Sequence, residues 1–138
     1  MRVFIDTSAF AKRFVEEPGS EKVDSIISER ADELGLSIIC IPEIISAMNR
    51  RLREKSIAKQ QYSKIKKRLS DELNDIDIIE LNNVVIENTI KFLEKNAMRA
   101  MDAIHIASAF EWDADLFLTS DKKQFKAAKT VLKKVIFI

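Results

Sequence analysis

Short runs of apolar residues recur along the chain and predict the strands of a buried sheet. The first run, Val3-Phe4-Ile5, is continuous rather than alternating, as in a strand that is covered on both faces. Leu116-Phe117-Leu118 repeats the pattern near the other end of the chain. We predict strands over residues 2–5, 36–41, 76–81, 116–118 and 135–138.

Between these runs, apolar residues recur every three or four positions, which predicts amphipathic helices. Ser8, Ser20 and Ser56 are suitable caps for three helices, and Pro42 is suited to open another. We predict helices over residues 9–16 and 20–32, after Pro42, after Ser56, after the third strand, and over 101–112 and 122–129. Because strands and helices alternate, the chain is predicted to be an α/β protein with a parallel sheet.

Two of the helices have a predicted buried face. The helix after the third strand is expected to turn Ile86, Ile90 and Leu93 inward. The helix over residues 101–112 carries small alanines that allow close packing on the sheet, and Phe110 is expected on the same face.

Composition indicates one globular domain over residues 1–138, long enough to bury a core. The apolar runs are too short to span a membrane, and charged residues interrupt any signal-peptide pattern near the N-terminus. A cytoplasmic protein is therefore expected. The single cysteine, Cys40, lies in an apolar run and is predicted to be a buried, inert thiol.

Charge is nearly balanced overall but is unevenly distributed. Residues 50–68 contain nine basic residues and only one acid, Glu54, and a second group of lysines occupies residues 122–134. Such clusters suit a polyanion such as RNA. The alternative is a pair of helices with solvated basic faces.

Four acids follow predicted strands or open predicted helices. Asp6 directly follows the first strand, Glu43 follows the second, and Asp121 follows the strand over residues 116–118. Because the carboxyl ends of parallel strands meet at one edge of the sheet, these three acids are predicted to converge. Asp102, at the start of a helix packed on the sheet, is placed to join them.

A group of carboxylates predicts a divalent metal site, since the ion offsets their mutual repulsion. Oxygen ligands without histidine or cysteine favour Mg²⁺ or Mn²⁺ over Zn²⁺. Such an ion activates water for phosphodiester hydrolysis. Each acid also has an ordinary alternative: Glu43 and Asp102 complement helix dipoles, and Asp121 caps a short helix. Asp6 is hardest to explain in this way, because burying an isolated acid costs stability.

Several stretches resemble a known family, the PIN-domain ribonucleases, and in particular the VapC toxins of toxin–antitoxin pairs. The matching stretches are residues 4–9, 15–21, 42–50, 99–107 and 118–122, which follow one another at family-like spacing. The resemblance implies a three-layer α/β fold, with a central, mostly parallel sheet sandwiched by helices. It also implies endonucleolytic cleavage of RNA, homodimerisation and inhibition by a small VapB-like antitoxin.

The same resemblance assigns the site residues. It implies that the catalytic residues are also the ligands of Mg²⁺ or Mn²⁺, namely Asp6, Glu43, Asp102 and Asp121. Hydroxyl groups occupy the family's auxiliary polar positions at Ser8, Thr119 and Ser120. In one departure, Lys122-Lys123 follows Asp121 where many relatives carry another acid, which leaves fewer ligands for a second ion.

Other residues have two interpretations each. Arg50 and Arg99 either hold substrate phosphate or serve at the surface and pair with carboxylates. His105, the only histidine, is either a general base or a residue that packs beside the site, and we favour the second because metal-assisted hydrolysis does not require a histidine base.

At the level of function, the alternatives are an RNA-processing nuclease without an antitoxin and a catalytically silent module that binds RNA or protein. A phosphotransferase that forms an aspartyl phosphate at Asp6 is disfavoured, since such enzymes need a second acid where this chain has Ser8.

Overall fold

A single sheet of five strands forms the centre of the molecule, which a computed structural model describes over residues 1–138. The strands are β1 (Arg2–Ile5), β2 (Glu33–Ser37), β3 (Asp77–Ile79), β4 (Leu116–Thr119) and β5 (Val135–Phe137). They lie in the order β3-β2-β1-β4-β5, and every neighbouring pair is parallel. The predicted α/β class is confirmed, and the sheet is parallel throughout.

Seven α-helices connect the strands, with two short 3-10 turns. The helices are α1 (Thr7–Phe10), α2 (Ser20–Arg30), α3 (Cys40–Arg53), α4 (Lys59–Glu72), α5 (Asn83–Lys95), α6 (Ala100–Glu111) and α7 (Lys122–Ala128). No helix is both long enough and apolar enough to cross a membrane.

Alternate residues of the central strand point to opposite faces of the sheet and join two separate cores. Val3 and Ile5 belong to a cluster of 17 buried residues that is shared with helices α1 to α4. Phe4 belongs to a second cluster of nine, shared with α5, α6 and α7. Helices therefore cover both faces, which confirms the three layers. Cys40 lies in the first core, and burial raises the pKa of its thiol to about 12.

The strand order places a crevice beside β1. The chain passes from β1 outward to β2 and β3, and then returns to the other side of β1 as β4 and β5. In parallel α/β sheets, ligands bind outside the strand carboxyl ends at such a switch in direction. Ile5 of β1 pairs with Leu118 of β4, so the residues that follow them, Asp6 and Thr119, come together at this crevice.

Helix α5 is rotated relative to the prediction. Ile86 and Ile90, predicted to point inward, are 40% and 50% exposed, whereas Val85 and Thr89 are buried. The buried stripe thus starts one residue earlier than predicted, because Val85 faces the core cluster of Phe4. The prediction for Phe110 is also wrong, since this side chain is exposed at the end of α6.

The three predicted serine caps are wrong as well. Asp6 caps α1 by accepting a hydrogen bond from the backbone N–H of Ala9, and α1 with its 3-10 turn ends at Arg13. Gly19 and Ala58 precede α2 and α4 without a side-chain cap. Aspartate caps helices as well as serine does, so the hydroxyl of Ser8 is available for another contact.

Candidate active site

All four predicted acids lie at the carboxyl edge of the sheet. Asp6 follows β1, Glu43 lies in the first turn of α3, Asp102 lies in the first turn of α6, and Asp121 precedes α7 directly after β4. Their charges act on one another: the pKa of Asp102 is raised first by burial and then by Asp121, Asp6 and Glu43, against a lowering effect of His105. The structure therefore brings the four carboxylates into one electrostatic group.

Asp6 is held in place by three hydrogen bonds. Its Oδ1 accepts from the hydroxyl of Ser8 at 2.7 Å and from the N–H of Ala9 at 3.0 Å. Its Oδ2 accepts from the hydroxyl of Thr119 at 2.6 Å. The side chain is almost fully buried, and burial raises the pKa of Asp6 despite these bonds. The fold therefore orients this carboxylate while its charge remains unfavourable.

Glu43 has a different environment. Its Oε1 accepts from the hydroxyl of Thr7 at 2.7 Å and lies 2.6 Å from Nε2 of His105. Burial alone would raise the pKa of Glu43, but the contacts with His105 and Thr7 outweigh it and hold the pKa below the usual value. The carboxylate is thus kept charged in a fixed orientation.

His105 supports the site rather than facing the solvent. It is 2% exposed, its Nε2 is engaged by Glu43, and its Nδ1 is buried without a hydrogen-bond partner. This placement favours the packing interpretation of His105 over that of a general base. Thr7, which lies 3.2 Å from the same Nε2, was not predicted. The available clue was a hydroxyl directly beside Asp6 at the end of a buried strand.

We expect Thr7→Val to reduce catalytic efficiency by about 10-fold or more without unfolding the protein, because it removes one hydrogen bond to a charged carboxylate and changes little in shape. The measurement is kcat/KM for RNA cleavage beside the thermal midpoint. Thr130→Val is the matched control, since the Thr130 hydroxyl donates only to the carbonyl of Ala127. Equal activity of the two variants would contradict a role for Thr7 in holding Glu43.

The predicted hydroxyl residues differ in their contacts. Ser8 and Thr119 both donate to Asp6, as already described, and accept from the backbone N–H groups of Ser120 and Asp121 at 2.9 and 3.0 Å. These bonds tie the ends of β1 and β4 together. Ser120 contributes only its backbone, since its own hydroxyl is buried without a partner.

An open cleft of about 540 Å³ lies beside the acids. Its lining residues are Ala97, Met98, Arg99, Asp102, Asp121, Lys122, Lys123 and Gln124. Of the two arginines predicted to contact phosphate, Arg99 therefore lines the cleft, whereas Arg50 is exposed on α3 and does not. Asp121 also performs the ordinary role suggested for it, because its Oδ1 accepts from the N–H of Gln124 and caps α7.

Comparison with known proteins identifies the family. The family model of the PIN domain matches residues 3–130. The chain belongs to the PIN domain family. No curated protein matches this PIN domain in sequence.

Solved structures share its fold at low sequence identity. A toxin–antitoxin complex from Klebsiella pneumoniae has a chain that is 15% identical, with a TM-score of 0.69 and 89% of both chains covered. VapBC2 from Rickettsia felis, bound to a promoter DNA fragment, is 12% identical with a TM-score of 0.71, covering 100% of this PIN domain and 99% of that chain. VapC20 from Mycobacterium tuberculosis, a toxin that cleaves the sarcin–ricin loop, is 15% identical with a TM-score of 0.70. The match covers 95% of this PIN domain and 97% of that chain.

The donor set of this PIN domain suits a hydrated Mg²⁺ or Mn²⁺ ion. All four acids offer oxygen. Burial first, and then the negative charge of the neighbouring acids, raises the pKa of Asp102, and a cation would offset that charge. As the side chains stand, no three acidic, histidine or cysteine side chains are close enough to share one ion. Mg²⁺ commonly keeps several waters and binds through only one or two carboxylates, so such a site does not require a closed cage.

Proposed function

We propose that this PIN domain is a metal-dependent endoribonuclease and acts as the toxin of a toxin–antitoxin pair. The observation that carries the proposal is the placement of four carboxylates at the carboxyl edge of one parallel sheet, with Asp102 and Asp121 lining the same cleft. Membership of the PIN family supports nuclease chemistry. The resemblance in fold to proteins of toxin–antitoxin complexes supports the biological role.

In this proposal the acids have two kinds of environment. Asp6 and Glu43 are oriented by hydroxyl groups and by His105, and they supply fixed charge at the ends of β1 and β2. Asp102 and Asp121 line the open cleft, where the RNA substrate would bind. A divalent ion held by these residues would stabilise charge on a phosphate oxygen and activate water. Arg99, also in the cleft wall, would bind an RNA phosphate.

The proposal includes two protein partners. An antitoxin is inferred from the complexes formed by proteins of the same fold. A second copy of the chain is inferred from the outer side of α5, where Ile86 and Ile90 leave apolar area in contact with water. The proposed place of action is the cytoplasm.

Circular single-stranded RNA provides the test, because only an internal cut makes it linear. We expect the purified protein to linearise it with Mg²⁺ or Mn²⁺, and EDTA to stop the reaction. Adding the protein encoded beside this chain should inhibit cleavage if that protein is the antitoxin. RNA that stays circular with either ion would contradict the endonuclease. Cleavage that no neighbouring protein inhibits would indicate RNA processing instead of a toxin.

A further inference from the structure

The cleft beside the acids has a wall of unpaired cations. Arg99 directly precedes α6, and Lys122 and Lys123 form the start of α7. None of these three residues takes part in a salt bridge of the protein. The cleft therefore has positive charge available for an anion next to the carboxylates.

Gln124 supplies an independent observation in the same cleft. It is 1% exposed, yet neither the oxygen nor the nitrogen of its side-chain amide has a hydrogen-bond partner. A buried amide without partners costs stability, and a leucine of similar size would avoid the cost. A primary amide offers two donors and an acceptor, which is the pattern that pairs with the edge of a nucleobase.

We propose that this cleft is a nucleotide subsite for the RNA residue next to the phosphodiester that is cut. Arg99, Lys122 and Lys123 bind its phosphate, and the amide of Gln124 reads the edge of its base. The amide is covered in the free protein, so the base reaches it through a side-chain rearrangement of the cleft wall, a common event in binding. This inference rests on the proposed function and adds a base preference to it.

Binding without cleavage tests the phosphate contacts. Short fluorescent single-stranded RNA is titrated with protein in EDTA across a series of salt concentrations, and anisotropy gives Kd. Lys123→Ala should weaken binding about five-fold or more at low salt and reduce the slope of log K against log salt by about 0.7, the value for one phosphate contact with a single strand. Lys126→Ala is the matched control, because Lys126 is an exposed lysine of the same helix outside the cleft. Equal losses in both variants, or none in either, would overturn the subsite.

The base contact has its own test. Wild-type protein should bind the four homopolymeric oligonucleotides unequally, and Gln124→Leu should reduce that difference to within about two-fold. The same variant should keep or raise the thermal midpoint, because it removes unpaired polar atoms. Equal binding of all four RNAs by the wild type, or an unchanged preference in Gln124→Leu, would overturn base reading. These titrations contain no metal and measure binding alone. A protein that fails to cleave RNA can therefore still pass or fail them, so failure of the subsite and failure of the proposed nuclease function are distinguished.

Discussion

We expect Asp6→Asn to abolish RNA cleavage and to leave the folded protein at least as stable as the wild type. Cleavage should fall at least about 1,000-fold, about 4 kcal/mol in activation free energy, because the most deeply buried of the four acids loses its charge. Stability is retained for two reasons. Asparagine caps a helix as well as aspartate does. Removing the charge also removes the free-energy cost of burying a charged carboxylate, the same cost that raises the pKa of Asp6. The measurements are single-turnover cleavage and thermal unfolding at pH 7.

Asp71→Asn is the matched control for this variant. Asp71 is an exposed acid whose partner is Lys67, one turn earlier on α4. It should leave cleavage within about two-fold of the wild type, since surface ion pairs contribute little. Wild-type activity in Asp6→Asn would contradict the assignment of Asp6. Loss of activity together with loss of the folded state would show that Asp6 is needed for folding rather than for chemistry.

We expect Mg²⁺ or Mn²⁺ to raise the thermal midpoint strongly at pH 7 and hardly at all near pH 4. Burial raises the pKa of Asp6, and burial with the neighbouring acids raises that of Asp102. Their contribution to stability is therefore complete below the unfolded-state pKa of 3.8 and is lost as pH rises through their folded-state values. A bound cation would restore this contribution at pH 7. At an ion concentration of about 100 times Kd the gain is about 2.7 kcal/mol, or on the order of 10 °C.

The contribution of Glu43 to stability changes with pH in the opposite direction to that of Asp6 and Asp102. Its pKa is lowered in the folded state, so its contribution is present above its ordinary value of 4.5 and is lost as pH falls through the lowered value. Because these acids respond to pH in opposite directions, the metal-dependent rise in thermal midpoint is measured at several pH values. The same series is repeated with Asp102→Asn. A rise of the same size in this variant, or at pH 4, would place the ion elsewhere on the protein.

The positions of the acids were predictable because they depend on topology. Each predicted strand exists in the structure, and a parallel sheet brings the strand ends to one edge whatever the detailed side-chain packing. Asp6 and Asp121 could thus be placed together from sequence alone. Helix α6 could be placed as well, because its alanines allow contact with the sheet.

Boundaries and helix phases were not predictable in the same way. The second strand was predicted over residues 36–41, but β2 ends at Ser37 and the apolar run continues into α3, where Cys40 and Ile44 are buried. An apolar run does not distinguish a strand from the buried start of a helix. In α5 both Val85 and Ile86 are apolar, so only tertiary packing decides which one faces the core.

The contacts that orient the acids were also beyond the sequence. Thr7 and His105 are 98 positions apart, and they meet only because α1 and α6 start at the same edge of the sheet. The unpaired amide of Gln124 is likewise a property of the folded cleft. Spacing identifies which residues carry chemistry, whereas their hydrogen-bond partners emerge from packing.

Parallel titration of Mn²⁺ binding and of RNA cleavage tests the central proposal most directly, namely that the acids at the carboxyl edge of the sheet, Asp102 among them, bind the ion on which hydrolysis depends. Calorimetry and cleavage rates are recorded on the same protein, wild type and Asp102→Asn. The wild type should bind Mn²⁺ and reach its full cleavage rate over the same range of ion concentration, and Asp102→Asn should lose both. Cleavage that continues undiminished in EDTA, or wild-type Mn²⁺ affinity in Asp102→Asn, would contradict the proposal.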